Sequence, residues 1–411
     1  MPYFPRHLEA KLRSFASFFK AVLVVGARQV GKSSLLGATF PGHRTVVFDA
    51  LADVNGARRD PDLFLKNFPP PLVLFEVQYA PELLSALKRR LEQETQAGRY
   101  LLTGSHQLAV MRGVAESMAG RVGILQLPAM TPSEMAGRGA EPDNFIAEWV
   151  SRHGEIGPDV PIRPDPEGGL ARFLWRGCMP GLLAAPDDLV PPYFASYTAT
   201  YIERDVRMLG DVRSLSDFDR FLRLVAALTA QEINLSGIGR EIGIAPSTAR
   251  GWLELLKFGF QWRDLPPFPG QLIKRLSRRP KGHLADTGLA CALLRIGSPA
   301  GLAAHPLFGA LFESFVVETV VKNSLRLPVA PGAYHWRSGG GAEVDLVLEI
   351  DGRLFPIEVK ASTAVSGHDA RGLIAFRETY PRASAPGLIV YAGDLARRVR
   401  EDVWAVPWRA L

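Results

Sequence analysis

Gly26-Ala27-Arg28-Gln29-Val30-Gly31-Lys32-Ser33 places two glycines five positions apart and follows the second with lysine and serine. That spacing is the GxxxxGK[ST] pattern. Glycines at both ends let consecutive backbone N–H groups turn toward one anion, a lysine adds a point charge for the β and γ phosphates, and a serine hydroxyl is a hard oxygen ligand for Mg²⁺. Gly26, Arg28, Gly31, Lys32, Ser33 and Ser34 are therefore expected to hold ATP, with Ser33 on the metal. Hydrolysis also needs a carboxylate that polarises water and a second one that orders the metal. Glu76, after the apolar run Pro71–Phe75, stands where the first belongs. Phe75 takes the place of the second, and Asp49, after Val46-Val47-Phe48, is the candidate substitute. Ser105 at the end of another apolar run suits contact with the γ-phosphate, and Arg121 suits an arginine finger reaching a neighbouring subunit of a homo-oligomer, a hexameric ring being one form. The plainer alternatives are an exposed strand-end glutamate and capping roles for Ser105 and Arg121.

A second constellation lies near the C-terminus. Asp345 is separated by twelve residues from Glu358-Val359-Lys360, and Asp351-Gly352 between them reads as a hairpin turn. Alternation puts Glu358 and Lys360 on one face of their strand, and the hairpin brings Asp345 beside them. The arrangement is similar to the PD-(D/E)xK nuclease core, with Val344 at the leading proline position. That resemblance implies Mg²⁺ held by Asp345, Glu358 and Glu313, with Lys360 acting on the attacking water. The competing reading is a decayed nuclease fold whose pocket binds DNA without cutting it or is inert.

Phosphate-binding chemistry of another kind is suggested by Lys274, Arg275, Arg278, Arg279 and Lys281, five cations within eight residues that contain no acid. They fall where the wing of a winged helix is expected, and Arg250 would project from the preceding recognition helix. Such groups contact nucleic-acid phosphates, giving DNA affinity that follows backbone structure more than base sequence. A solvated positive loop is the bland alternative.

The elements that must position these groups are legible in outline. The chain has 411 residues, 47% hydrophobic and 22% charged, which fits two or three globular domains and excludes disordered and collagenous classes. No apolar run approaches the roughly 18 to 20 residues a membrane helix needs, and the first residues lack signal-peptide order, so a cytoplasmic location without membrane partners is expected. Cys178 and Cys291 stand alone and suit packing rather than a disulfide or zinc site. The net charge of +6 comes mostly from arginine, since only ten of the 48 basic residues are lysine. Apolar runs at 21–25, 45–48, 72–74 and 100–103 alternate with helical patterns and predict a parallel α/β core over 1–135. A Gly/Pro-rich linker and helical lid follow over 136–210, with helix near 145–151. A winged-helix-like unit is expected over 211–300: helices over 235–242 and 246 onward, Gly243 as the turn, and a basic hairpin from Pro266. A restriction-endonuclease-like α/β unit, opened by a helix over 311–322, is expected over 301–411.

Taken in order, GARQVGKSSLL, FEVQYAPELLSALK, LLTGSHQ, SMAGRV, YIERDVRML, the helix-turn-helix, RPKGHLADTGLA, LFESFVVE and EVDLVLE with IEVKAS resemble the bacterial and archaeal AAA-superfamily ATPases that carry a second C-terminal region of unknown function. The resemblance spans most of the chain. It implies an AAA-type core, a winged-helix-like middle and a nuclease-like C-terminal fold. Members usually carry Asp where this chain has Phe75, a departure that implies weaker organisation of Mg²⁺. The leading expectation is an ATP-hydrolysing, DNA-associated protein with a candidate Mg²⁺-dependent nuclease site, acting in repair, recombination or defence. The alternative is a nucleotide-dependent regulatory switch with weak hydrolysis and a non-cleaving C-terminal unit. A small-molecule kinase is a weaker third reading, because nothing in the sequence resembles an acceptor pocket.

Overall fold

The computed structural model describes residues 3–105, 120–141, 144–157, 159–200, 206, 212, 214–268 and 279–411. The helical pattern expected through Tyr201–Leu209 falls almost entirely outside these residues, as do Lys274, Arg275 and Arg278.

Helix α1 (Glu9–Phe18) leads into β1 (Ala21–Val25), whose five residues are all buried. An uninterrupted apolar strand of this kind suits a parallel sheet covered on both faces. Helix α2 (Lys32–Thr39), β2 (Arg44–Val47), α3 (Pro61–Asn67), β3 (Leu72–Phe75), α4 (Glu82–Gln93), β4 (Tyr100–Gly104) and β5 (Val122–Gln126) complete a parallel sheet of order β2-β3-β4-β1-β5. Strand β1 pairs with β4 on one side and β5 on the other. The sequence does not announce β5, because Ile124 is exposed and Gly123 interrupts the apolar run. One sheet face buries Leu23, Leu72, Leu74 and Leu102 with Phe64 of α3 and Leu87 of α4; the other buries Val22, Val24, Val73 and Phe75 with Leu12 of α1 and Leu35 of α2. Phosphate sites in such sheets lie at the C-terminal strand ends beside the point where strand order reverses, which here is β1.

A short helix α5 (Pro132–Met135) and α6 (Phe145–Ser151) follow. Helix α6 packs against the C-terminal half of the chain, with Trp149 edge-on to Phe355 at 5.4 Å. Helices α7 (Gly169–Arg176), α8 (Val190–Thr200) and α9 (Leu215–Ala227) precede β6 (Gln231–Glu232), α10 (Leu235–Ile242), α11 (Pro246–Phe258), β7 (Trp262–Leu265) and β8 (Lys281–Leu284). Asn234 caps α10 by accepting from the Gly237 N–H, Gly243 ends it at φ +80°, and Pro246 opens α11. The three strands form a sheet of order β6-β8-β7. The hairpin begins at Trp262, earlier than the sequence indicates, because Pro266 and Pro267 follow the outgoing strand instead of starting it.

Helices α12 (Thr287–Leu293) and α13 (Pro299–Ala303) pack back on α7. Helix α14 (Phe308–Ser324) is buried on nearly every side from Leu311 onward, as an apolar helix without a polar face must be. It abuts α6, α7, α12, β8, β10 and β11, so the core under α2 runs without a break into the C-terminal unit. The last sheet contains β9 (Gly332–Arg337), β10 (Glu343–Ile350), β11 (Arg353–Lys360), β12 (Gly387–Tyr391), β13 (Arg397–Arg400) and β14 (Val403–Pro407) in the order β13-β14-β12-β11-β10-β9, with α15 (Arg371–Thr379) against β10 and β11. Asp351 and Gly352, at φ +51° and +74°, make the two-residue turn between β10 and β11. Among the described residues no helix is long and apolar enough to cross a membrane, and both cysteines are buried with their thiols pushed up to about 12 by that burial.

Candidate functional site

The P-loop leaves β1 at Gly26, where φ is +157° and a Cβ would lie 2.1 Å from the Leu127 carbonyl oxygen. Only glycine fits there. Gly31 begins α2 at φ +94°, another conformation that a side chain resists. Lys32 is 5% exposed and its ammonium donates to the Gly26 and Ala27 carbonyls at 2.9 and 2.8 Å. Ser33 and Ser34 in the first turn of α2 are exposed. Gly31, Lys32, Ser33, Ser34 and Glu76 line a cavity of about 690 Å³, shared with Tyr3, Phe4 and Arg6 at the N-terminus and Met130, Pro180 and Leu183 across the opening. The open αL and extended backbone and the helix N-terminus fit a phosphate chain. The aromatic and apolar wall, which no sequence motif announced, fits a planar base.

Behind the loop, Arg6 donates to the Val30 carbonyl at 2.6 Å and the Pro128 carbonyl at 2.7 Å, and pairs with the buried Glu134 at 3.1 Å. Glu134 closes a capping box with Thr131 on α5 and also accepts from the His7 N–H at 2.7 Å. The next turn reaches the C-terminal unit: Lys11 donates to the Leu325 and Leu327 carbonyls at 2.9 and 3.1 Å.

Glu76 leaves β3 in the left-handed region at φ +58°. Its N–H donates to Thr103 Oγ1 at 3.0 Å, and its carboxylate accepts from Gln78 Nε2 at 2.5 Å and from Ser105 Oγ at 3.0 Å. Ser105 therefore orients Glu76 and does not itself line the cavity. Phe75 is buried on the α2 face of the sheet at 8% exposure. Asp49 does not reach this site. It sits on an exposed loop where its carboxylate accepts from the Leu51 and Ala52 N–H groups at 2.8 and 3.2 Å, so its charge is spent on its own turn. Arg28 donates to the Tyr79 hydroxyl at 2.9 Å, and Arg121, partly exposed, pairs with Glu92 at 3.2 Å.

The hairpin of β10 and β11 brings Asp345, Glu358 and Lys360 into a pocket of about 900 Å³, with Glu313 of α14. Asp345 Oδ2 accepts from the Val359 N–H at 2.9 Å, and Glu358 Oε1 accepts from Lys360 Nζ at 2.6 Å. Glu313 and Glu358 are each pushed up to about 8, first by burial and then by the Asp345 charge.

Lys281 overturns its assignment to an exposed, phosphate-contacting wing. It opens β8, is 6% exposed, and its ammonium lies 2.8 Å from Glu343, 3.0 Å from Glu313 and 3.1 Å from Asp345. Burial works against that charge, but the three carboxylates outweigh it and hold the ammonium well above the ordinary lysine range. Sequence reasoning missed this because β8 pairs in the middle sheet while its first side chain enters the C-terminal pocket. Among the described residues no three His, Cys, Asp or Glu groups converge as a metal cage. Glu313 and Asp345 close on an ammonium instead, so this arrangement does not fit the expected divalent ion. Of the remaining basic residues, Arg250 on α11 and Arg279 before β8 are exposed.

Residues 18–136 match the family model described as an AAA domain, residues 168–300 a domain of unknown function (DUF8612), and residues 308–411 another (DUF4143). Uncharacterized proteins of Mycobacterium tuberculosis and Mycobacterium bovis are each 28% identical over 405 residues, covering 98% of this chain and 83% of theirs. Among solved structures, a Walker-type ATPase of Pyrococcus abyssi aligns at TM-score 0.46 and 16% identity, over 71% of this chain and 98% of that one. A Thermotoga maritima Holliday junction branch migration motor aligns at TM-score 0.30 and 15% identity, over 62% of this chain and 85% of that one. The loop geometry and the match over 18–136 together give the conclusion: the N-terminal part of the chain is a P-loop, AAA-type nucleotide-binding domain, followed by two domains of unknown function.

Proposed function

We propose that the chain binds and hydrolyses ATP and couples that cycle to DNA held by its middle domain. The carrying observation is Glu76, oriented by Ser105 and Gln78 at the edge of the cavity that Lys32, Ser33 and Ser34 line. In this reading Gly31–Ser34 hold the phosphates, and Lys32 exchanges its two loop carbonyls for phosphate oxygens. Ser33 would supply the protein ligand to Mg²⁺, and the ion would neutralise charge on the leaving phosphates. Glu76 orients and polarises the attacking water, and the base rests near Tyr3 and Phe4. Phe75 offers the metal no carboxylate, so turnover is slow. Arg121 is the candidate finger toward a neighbouring copy in a ring.

The DNA reading is supported by the order helix, strand, helix, helix, strand, strand with sheet order β6-β8-β7, which is that of a winged helix. Exposed Arg250 and Arg279 flank it. For the C-terminal pocket, the Lys281 contacts favour the second reading, a nuclease-like domain that does not cleave.

ATP turnover above that of Lys32→Ala, raised further by duplex or branched DNA, is the expected result; turnover equal to the variant would refute hydrolysis. DNA cleavage in Mg²⁺ or Mn²⁺ no faster than that of Lys360→Ala is expected, and faster cleavage would overturn the non-cleaving reading.

A further inference from the structure

We infer that Lys281 is the resident cation of the C-terminal carboxylate pocket, holding with its ammonium the position that a divalent metal ion would otherwise take. This deepens the non-cleaving reading and rests on it.

Three facts point the same way. The ammonium has three carboxylates at 2.8–3.1 Å, one each from Glu343, Glu313 and Asp345. Two of these, Glu313 and Asp345, are acids that a nuclease-like site would use on metal. Glu358 is 8% exposed, lines the same pocket, and keeps Oε2 without a hydrogen-bond partner. A buried carboxylate oxygen left unpaired is costly, and it is the acceptor that an incoming cation would satisfy. Lys281 itself belongs to the middle sheet, where it pairs with Glu232 across β6 and with Leu265 across β7. The backbone thus anchors this side chain from outside the C-terminal sheet.

Electrostatics decides which cation wins. A tethered ammonium carries no association entropy and one positive charge, so wild-type carboxylates are already neutralised in part. A divalent ion would have to enter beside it and meet like-charge repulsion. Removing the ammonium while keeping the side-chain volume leaves Glu313, Glu343 and Asp345 without their shared cation, in the pocket that Glu358 also lines with its unpartnered Oε2.

The test is Mn²⁺ binding to the full-length, nucleotide-free protein, read by electron paramagnetic resonance and by the thermal midpoint. Wild type and Lys281→Arg are expected to show no site that Glu358→Gln removes. Lys281→Met is expected to gain one Mn²⁺ site per chain, with the midpoint restored upward by the ion, and to lose it again when Glu358→Gln is added. A Glu358-dependent site in wild type overturns the inference. So does a Lys281→Met protein that gains no site, or one that stays unfolded with and without Mn²⁺. Failure of the parent reading looks different: wild type would cleave DNA while still binding no ion here.

Discussion

Replacing Glu76 separates backbone strain from chemistry. A non-glycine residue in the left-handed region carries about 1 kcal/mol of unfavourable energy, and Glu76 sits there at φ +58°. Glu76→Ala and Glu76→Gly both remove the carboxylate that accepts from Gln78 and Ser105. That loss is common to the two variants and cancels between them. What remains is the backbone, so Glu76→Gly should be the more stable by about 1 kcal/mol, the reverse of the usual 0.5–1 kcal/mol advantage of alanine inside regular elements. Urea unfolding followed by tryptophan fluorescence reads the difference. Both variants should lose ATP turnover by about 10²-fold or more, the range expected for removing a positioned base, and fall to the Lys32→Ala background. Two results would refute the reasoning: alanine equal to or more stable than glycine, or turnover surviving in either variant.

Three further outcomes follow from other contacts. Glu318, 4% exposed, pairs with the partly exposed Arg263 at 2.5 Å; Glu318→Ala removes a charge-assisted hydrogen bond and should destabilise by about 1.5–3 kcal/mol in chemical denaturation, whereas a loss under 1 kcal/mol would mean the pair is solvated. His7 is held down to about 4, chiefly by burial, so it is neutral in the folded protein; its contribution is present above the unfolded value near 6.5 and is lost as pH falls toward 4, about 2 kcal/mol between pH 7.5 and pH 5. His7→Gln should lose correspondingly less over that interval, and an unchanged pH profile would contradict the assignment. Duplex binding should weaken as salt rises, and Arg250→Ala and Arg279→Ala should each lower the slope of log K against log salt by about one; slopes equal to wild type would remove these residues from the interface.

The sequence disclosed what depends on local spacing. The phosphate loop needs glycines where the backbone turns, so Gly26 and Gly31 announced it, and the strand before and helix after followed from periodicity alone. The β10–β11 hairpin was equally open to reading, because Asp351-Gly352 dictates a two-residue turn that fixes register. Hidden features depend on contacts between distant segments. Asp49 has the right residue type at a strand end, but a nearby turn with two unpaired N–H groups captured it. Tyr3 and Phe4 carry no motif and reach the cavity only because Arg6 anchors the N-terminus behind the loop. Lys281 looked like one more cation in a basic run; only the pairing of β8 shows that its side chain enters another sheet's pocket.

That pocket has the Lys281 ammonium on one side of residue 300 and the three acids it joins on the other. A cut between the segments matched by the two domains of unknown function would leave an unneutralised lysine on the first piece, and on the second Glu313, Glu343 and Asp345 without the ammonium they share. The excised C-terminal piece would then be a different chemical object from the same residues in the whole chain, free to collect protons or divalent ions that the intact protein turns away. A metal-dependent activity measured on that fragment would describe the wound, and the boundary drawn by sequence families would have been mistaken for a seam in the molecule.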